Sequence, residues 1–440
     1  MTKPVKIHLI FTAAIAILIR VWLWFTYPIS LGNDSDTYIH LGNSLRNNLG
    51  FARYNGTRTP GYPFLLALVK DLQNLYLVQL TLGVLTTLLV FMLVYRLAQN
   101  PIAATAAALF HTLNLQQLLF EGAVLSETLS TFLLILGLYL LQRYLEGGTN
   151  PGKFRFALLA GLAMAALASV RSLFLTLPFC FLLVFILWQG RTRSKNYAAG
   201  LAALLVPITL GLALWVGYVY LQFNVVGLDA MGGYHKVNHV SSFFEKAPTE
   251  YQQISEIFIK YRDARIELSG SAVNTIWDAI PDLMKATHLN YYALGRQMGE
   301  ISDKLASQNP GLYWKNVGLA WLWFWKVGVV WQPGGFQDGL VRAMVDKALL
   351  FQRGVLILAN MAFLLGSVII LVRRWFSRLP PLLWATTAFI WFTSFLQAIA
   401  EFGDNPRFLA PAQSLVIMIL TVAIVVFLRD RKRGNANVEK

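Results

Sequence analysis

The chain has 440 residues, 56% of them hydrophobic and 13% charged, against about 25% charged in an average soluble domain. That composition excludes a water-soluble globular protein and puts most of the chain in a bilayer. The formal net charge of +15 does not indicate nucleic acid, because the basic residues fall in short clusters at the ends of apolar runs rather than over one surface.

Lys3 and Lys6 precede a first apolar run from Ile7 to Tyr27, which is long for a signal peptide and lacks a small-residue cleavage site; we read it as an uncleaved span. Further runs lie at 76–98, 101–119, 124–141, 156–171, 172–189, 198–222, 353–372, 382–400 and 408–428. Each approaches the length of a helix crossing a ~30 Å hydrocarbon core and exceeds a barrel strand. The expected fold is therefore an all-α polytopic membrane protein of about ten transmembrane helices (10–12). The single cysteine, Cys180, sits within an apolar run, so no intrachain disulfide is available and packing is its expected role.

Basic residues recur at alternate ends of the runs: Lys3/Lys6, Arg96, Arg143/Lys153/Arg155, Arg191/Arg193/Lys195, Arg373/Arg374/Arg378 and the tail Arg429/Arg431/Lys432/Arg433. The positive-inside rule makes these cytoplasmic. The segments 28–75, 223–352 and 401–407 then share the outer face, and the unusual polar residues collect there. Residues 1–222 read as an N-terminal transmembrane catalytic core with its first outer loop at 28–75. Residues 223–352 read as an extracytoplasmic helical segment, and 353–440 as C-terminal spans with a basic tail.

The first outer loop reads Gly32-Asn33-Asp34-Ser35-Asp36-Thr37-Tyr38 and enters an amphipathic helix with Ile39, Leu41, Leu45 and Leu49 on one face. Asp34 or Asp36 can cap that helix. Two carboxylates exceed what one cap needs, leaving one to accept a proton from a nucleophile. Nine residues beyond the helix, Arg58-Thr59-Pro60-Gly61-Tyr62-Pro63 forms a rigid turn whose guanidinium can grip a lipid phosphate.

One span, an outer loop with Asp34 four residues before Tyr38, an amphipathic helix and then Arg-x-Pro-Gly-Tyr-Pro resembles the GT-C membrane glycosyltransferases, in particular bacterial relatives of protein O-mannosyltransferases and aminoarabinose transferases. The resemblance implies a first-loop catalytic acid, Asp34 by its spacing to Tyr38 with Asp36 in reserve, and a polyprenyl-phosphate sugar donor. It also implies an extracytoplasmic acceptor (lipid, glycan or protein) and a plasma-membrane location. Leu125-Ser126-Glu127-Thr128, Val170-Arg171 and Asn405-Pro406-Arg407-Phe408 echo the same family. Asp34-Ser35 stands where many relatives have Asp-Glu, so dependence on a divalent metal ion is left open.

Tyr38, Arg58, Tyr62, Glu127, Arg171 and Arg407 are thus the expected substrate-binding residues. Each has a plainer reading: helix-dipole complementation for Glu127, snorkelling to the interface for Arg171, and a salt-linked turn with Glu401 and Asp404 for Arg407. His235-x-x-x-His239 has a spacing used in some metal sites, but no zincin Glu follows. The stretch Val317–Val330, with Trp321, Trp323 and Trp325, is expected to lie in the interface or dip back out; the alternative is a crossing paired with a second one within 336–352. The rival function is a transporter or lipid flippase; few charges lie within the spans and no repeated half is visible.

Overall fold

Helix α1 (Lys3–Thr26) opens on a proline in its first turn, where the missing N–H costs nothing, and leads through an extended stretch into α2 (Ser35–Asn47) and α3 (Gly61–Val69). The computed structural model describes residues 2–147, 151–178, 181–182 and 197–438. Among the described residues the chain is helical throughout, apart from turns and one isolated bridge between Ser30 and Ala123. An all-α polytopic membrane protein is what the composition required.

The helices α4 (Leu72–Ala98), α5 (Pro101–Leu113), α6 (Leu115–Glu121), α7 (Glu127–Glu146) and α8 (Phe154–Val170) follow, then α9 (Tyr197–Phe223). The run at 101–119 is not one helix. Asn114 adopts an extended conformation between α5 and α6, and its side chain accepts from the Gln116 N–H to start the second piece. Beyond α9 lie four shorter helices, α10 (Gly232–Val240), α11 (Gln252–Ser269), α12 (Thr275–Thr287) and α13 (Tyr291–Gln308). They enclose an apolar core of their own around Tyr234, Phe244, Phe258 and Leu294. Two adjacent glycines read as a loop in sequence, yet Gly232-Gly233 opens α10. A Cβ on Gly233 would lie 1.8 Å from the Gly295 carbonyl oxygen, so only glycine lets α10 and α13 approach this closely.

Four helices complete the chain: α14 (Pro310–Phe324), α15 (Gly339–Val372), α16 (Pro381–Ala400) and, after the single turn α17 (Asn405–Phe408), α18 (Gln413–Val438). Seven of the described helices are long and apolar enough to cross a membrane; α5 and α8 are shorter apolar helices. The expected run 172–189, Cys180 and Arg191/Arg193/Lys195 lie largely or wholly outside the described residues.

The Trp-rich stretch forms α14, only 15 residues long, short of the ~20 that a crossing needs. Trp321 stacks on Phe395 and donates to Ser394 Oγ, while Trp325 packs on Phe363, so these rings fill the angle between α14, α15 and α16. From Lys326 to Gln332 the chain runs non-helically back to the end of α1, where the Gln332 side chain donates to the Leu31 carbonyl. No separate helix forms in 336–352: residues 339–352 are the first part of the 34-residue α15.

A pair that hydropathy hides fastens α1 to α6. Arg20 and Glu121, both 3% exposed, form a two-pronged ion pair, Nη2 to Oε1 at 2.6 Å and Nε to Oε2 at 3.0 Å. Removing one partner of such a pair typically costs about 3–5 kcal/mol, because the other charge is left buried and unpaired.

Candidate active site at the loop end of the bundle

The parts of the site are drawn together by backbone. After α1 the Ser30 N–H donates to the Gly122 carbonyl and the Val124 N–H donates to Ser30, so the loop bearing Asp34 is pinned beside the start of α7, where Glu127 stands. The Ser35 hydroxyl donates to the Val124 carbonyl at 2.9 Å and fixes the register. The Thr59-Pro60-Gly61 turn packs on the end of α8. There a Cβ on Gly61 would lie 2.6 Å from Ser169 Oγ and 2.7 Å from the Val170 nitrogen, and this contact sets Arg58 beside the Arg171 segment. Arg407 arrives on α17, held by Asn405, whose amide donates to the carbonyls of Ala320 and Glu401, and by the Gly328 N–H donating to the Pro406 carbonyl.

Three guanidinium groups and two carboxylates meet there. Arg58 Nη2 lies 2.7 Å from Asp34 Oδ1, Arg407 Nη1 lies 2.6 Å from Asp34 Oδ2, and Arg171 Nη1 lies 2.8 Å from Glu127 Oε1. Arg407 Nε also pairs with Glu127. Arg407 is thus the bridge between the two acids, and a third carboxylate, Asp404, stands 3.9 Å from its Nη1. Glu127 is 1% exposed and Asp34 25%, so the cluster has a closed side and an open one.

The plainer readings of Asp34 and Arg171 do not describe the geometry, and that of Arg407 does so only in its contact with Asp404. Asp34 stands at the N-cap position of α2, yet its side chain makes no capping bond; both oxygens go to arginines. Burial disfavours its ionised form, but Arg58 and Arg407 outweigh that and hold the carboxyl below the usual range. Glu127 serves two guanidiniums rather than a helix end alone. Arg171 is buried and stacks on Phe408 at 4.6 Å instead of reaching for the interface.

Asp36, the reserve acid, is exposed and takes no part in the cluster. Tyr38 and Tyr62 are buried beneath it, edge to face with ring centroids 4.9 Å apart. The Arg58 guanidinium lies 5.9 Å from the Tyr38 ring centroid, and Tyr62 donates to Gln79, whose amide ties the carbonyls of Glu121 and Ala123. The tyrosines therefore support the cluster rather than line an open surface.

Two residues that the sequence suggested for other roles complete the outer rim. Glu401 lies 3.0 Å from His235 Nδ1; burial pulls the imidazole pKa down, but Glu401 beside it pushes it above its ordinary value. His239, the other member of the spaced pair, is buried against Tyr313 and Phe402, and burial pushes it down to about 4. The two histidines share a helix but not a ligand. The only signal for Glu401 is its place four residues before Asn405 of the Asn405-Pro406-Arg407 turn, which suggests Arg407 as its partner rather than a histidine 166 positions away.

The donor chemistry does not fit a divalent ion. Asp34 and Glu127 already have guanidinium partners, and among the described residues no three of His, Cys, Asp and Glu converge. No step below is derived through a metal.

No family model matches the chain, and no curated protein matches it in sequence. Among solved structures it is similar to the archaeal oligosaccharyltransferase AglB from Archaeoglobus fulgidus in complex with an inhibitory peptide and a dolichol-phosphate. The TM-score is 0.51 at 14% identity, over 99% of this chain and 52% of that one. The S. cerevisiae protein O-mannosyltransferase Pmt1–Pmt2 complex bound to the sugar donor is similar over 55% of this chain and 37% of that one, with TM-score 0.40 and 18% identity. ArnT from Cupriavidus metallidurans bound to undecaprenyl phosphate gives TM-score 0.38 and 12% identity over 94% and 77%. The chain spans about half the length of the oligosaccharyltransferase. What the likeness shows is the fold: this all-α polytopic membrane protein shares the helical architecture of that archaeal oligosaccharyltransferase.

Proposed function

We propose that the chain is a glycosyltransferase that moves a monosaccharide from a polyprenyl-phosphate carrier to a hydroxyl or amine of an extracytoplasmic acceptor. The observation that carries the reading is Arg407, bridging Asp34 and Glu127 with Arg58 and Arg171 on either side, at one end of a bundle of spanning helices. Three guanidiniums converging on one partly open acid supply the N–H groups that a phosphodiester would need.

In this reading Arg58 and Arg407 have two tasks in sequence. Before the donor arrives they neutralise Asp34, which is then a poor base because its carboxyl is held low. A bound phosphate draws their N–H groups toward itself, relieving the hold on Asp34 and raising its affinity for a proton. The acceptor oxygen or nitrogen then attacks the anomeric carbon while its proton passes to Asp34. The bond from the anomeric carbon to the phosphate oxygen breaks, and that oxygen leaves with the electron pair as polyprenyl phosphate. Negative charge grows on it through the step, so fixed guanidiniums favour the transition state over the ground state. By analogy with the fold family, the anomeric centre inverts.

The same reading places the site on the extracytoplasmic face of a plasma membrane, since the basic helix ends lie at the other end of the bundle. Residues 1–222 are the catalytic core and 223–352 its outer cover, with α14 as a re-entrant element. The test is transfer of labelled sugar from a panel of polyprenyl-phosphate sugars into membrane extracts, parent against Asp34→Asn at matched protein levels. Transfer by the parent and none by the variant supports the reading; equal transfer by both removes Asp34 as the base. No transfer by the parent with any donor favours a flippase.

A further inference from the structure

At the opposite end of α7 from Glu127, about 28 Å away along 20 residues of helix, the ends of α4, α7 and α8 enclose a polar cavity of about 300 Å³. Arg96, Arg143, Lys153 and Arg155 line it with one carboxylate, Glu146, and the ring of Phe156. Four cations against one anion leave it at +3. The single acid is already engaged: one oxygen pairs with Arg96 and the other accepts from the Gln142 amide at 3.0 Å. Arg143 and Arg155 meet no carboxylate among the described residues. Both guanidiniums lie over Phe156 instead, at 4.6 and 4.9 Å from its centroid, and Arg143 also donates to the Tyr139 hydroxyl at 3.2 Å.

We propose that this cavity binds the phosphate headgroup of an anionic membrane lipid. Basic residues at helix ends alone do not require a site, because they set orientation by charge count. Orientation needs no concavity, and it does not need two forked donors stacked on one ring where their like charges repel. Arg373, Arg374 and Arg378, in another basic cluster, show the ordinary case: all three are exposed, as Arg155 is, but none of them lines this cavity. A phosphate between Arg143 and Arg155 would relieve their repulsion and use the N–H edges that the ring leaves free. The position argues for a lipid rather than a soluble anion. The cavity lies at the ends of α4 and α7, both long and apolar enough to cross a bilayer, and the basic helix ends there mark, in the topology read from charge, the face whose leaflet carries anionic lipid and draws basic pockets.

The experiment uses the full chain in neutral detergent. Its thermal midpoint is measured with added phosphatidylglycerol, cardiolipin, phosphatidylcholine or inorganic phosphate, and binding of the same lipids is read by native mass spectrometry. Expected is a rise in midpoint with the anionic lipids and none with phosphatidylcholine or inorganic phosphate. In Arg143→Gln/Arg155→Gln the apparent lipid affinity should fall at least tenfold, while Arg373→Gln/Arg374→Gln should bind as the parent does. If the first double variant does not fold, the single Arg155→Gln, an exposed position, should lower affinity severalfold. Equal losses in the two double variants would reduce the cavity to a charge-count effect and overturn the proposal. So would inorganic phosphate at lipid-like affinity, which makes the site one for free anions, or lipid binding unchanged by Arg155→Gln.

Discussion

Replacing Asp34 by Asn separates the two roles assigned to the arginines. The carboxylate accepts one charge-assisted bond from Arg58 and one from Arg407, at 2.7 and 2.6 Å. Such bonds contribute roughly 1.5–3 kcal/mol each when well shielded, and Asp34 is a quarter exposed, so solvent screening places them at the low end. A donor phosphate must compete with them in the parent but not in the variant, whose site also loses one negative charge. Binding of a polyprenyl phosphate should therefore tighten about tenfold, worth about 1.4 kcal/mol, while transfer falls by roughly 10²–10⁴ with the loss of the base. Detergent-solubilised parent and variant would be titrated with a short-chain polyprenyl phosphate by calorimetry, and single-turnover transfer measured at saturating donor. An Asn variant that binds the phosphate more weakly than the parent, or transfers at the parental rate, refutes the competition.

Asp36→Asn should transfer sugar within about twofold of the parent, since Asp36 is exposed and outside the cluster; the labelled-donor assay checks it. Arg407→Lys keeps the charge but cannot reach both Asp34 and Glu127 with a planar fork, so transfer should drop by more than tenfold with little change in the amount of folded protein. Glu127→Gln leaves Arg171 and Arg407 facing each other without their shared anion and should cost about 3 kcal/mol, read as a lower thermal midpoint; Glu127→Gln/Arg171→Gln should recover part of it. Because the folded-state pKa of His235 is raised, the His235–Glu401 pair stabilises fully below the unfolded value of about 6.5 and weakens as pH rises through the higher folded value. His235→Gln should flatten that part of the midpoint-versus-pH curve, and a curve left unchanged would detach the pair from stability.

The bundle was legible because hydropathy and the placement of lysine and arginine act along the chain, one segment at a time. The site was legible in part for the same reason: Asp34, Arg58, Glu127, Arg171 and Arg407 are polar residues at the ends of apolar runs, where they need a partner. Which partner each takes is a matter of packing. Nothing in the spacing says that Arg407 reaches back 373 positions to Asp34, or that α2 starts without using Asp34 as a cap. Arg20 escaped notice because a single charge barely lowers the mean hydropathy of a long run, and Glu121 because it falls in the short gap between the runs 101–119 and 124–141; their pairing depends on the helix breaking at Asn114. Gly232-Gly233 read as a loop because glycine is a poor helix former alone; the contact with Gly295 that requires it is visible only once α10 and α13 are packed.

The electrostatics of the cluster bear on why a transferase is a better reading of this fold than a flippase. A translocation path needs charges staged through the bilayer, each weakly held so that cargo can leave. Among the described residues the deep ionic pair is Arg20–Glu121, which is two-pronged and nearly fully buried, the geometry of a fastening. The Asp34 cluster is different in kind, since its acid is partly open and held by guanidiniums that a phosphate can engage in its place. An acid restrained by the groups that bind the leaving phosphate gains basicity when that phosphate is bound. This coupling would favour transfer in the ternary complex over unproductive deprotonation before the donor is in place, and it is the feature that the donor-binding comparison of parent and Asp34→Asn interrogates.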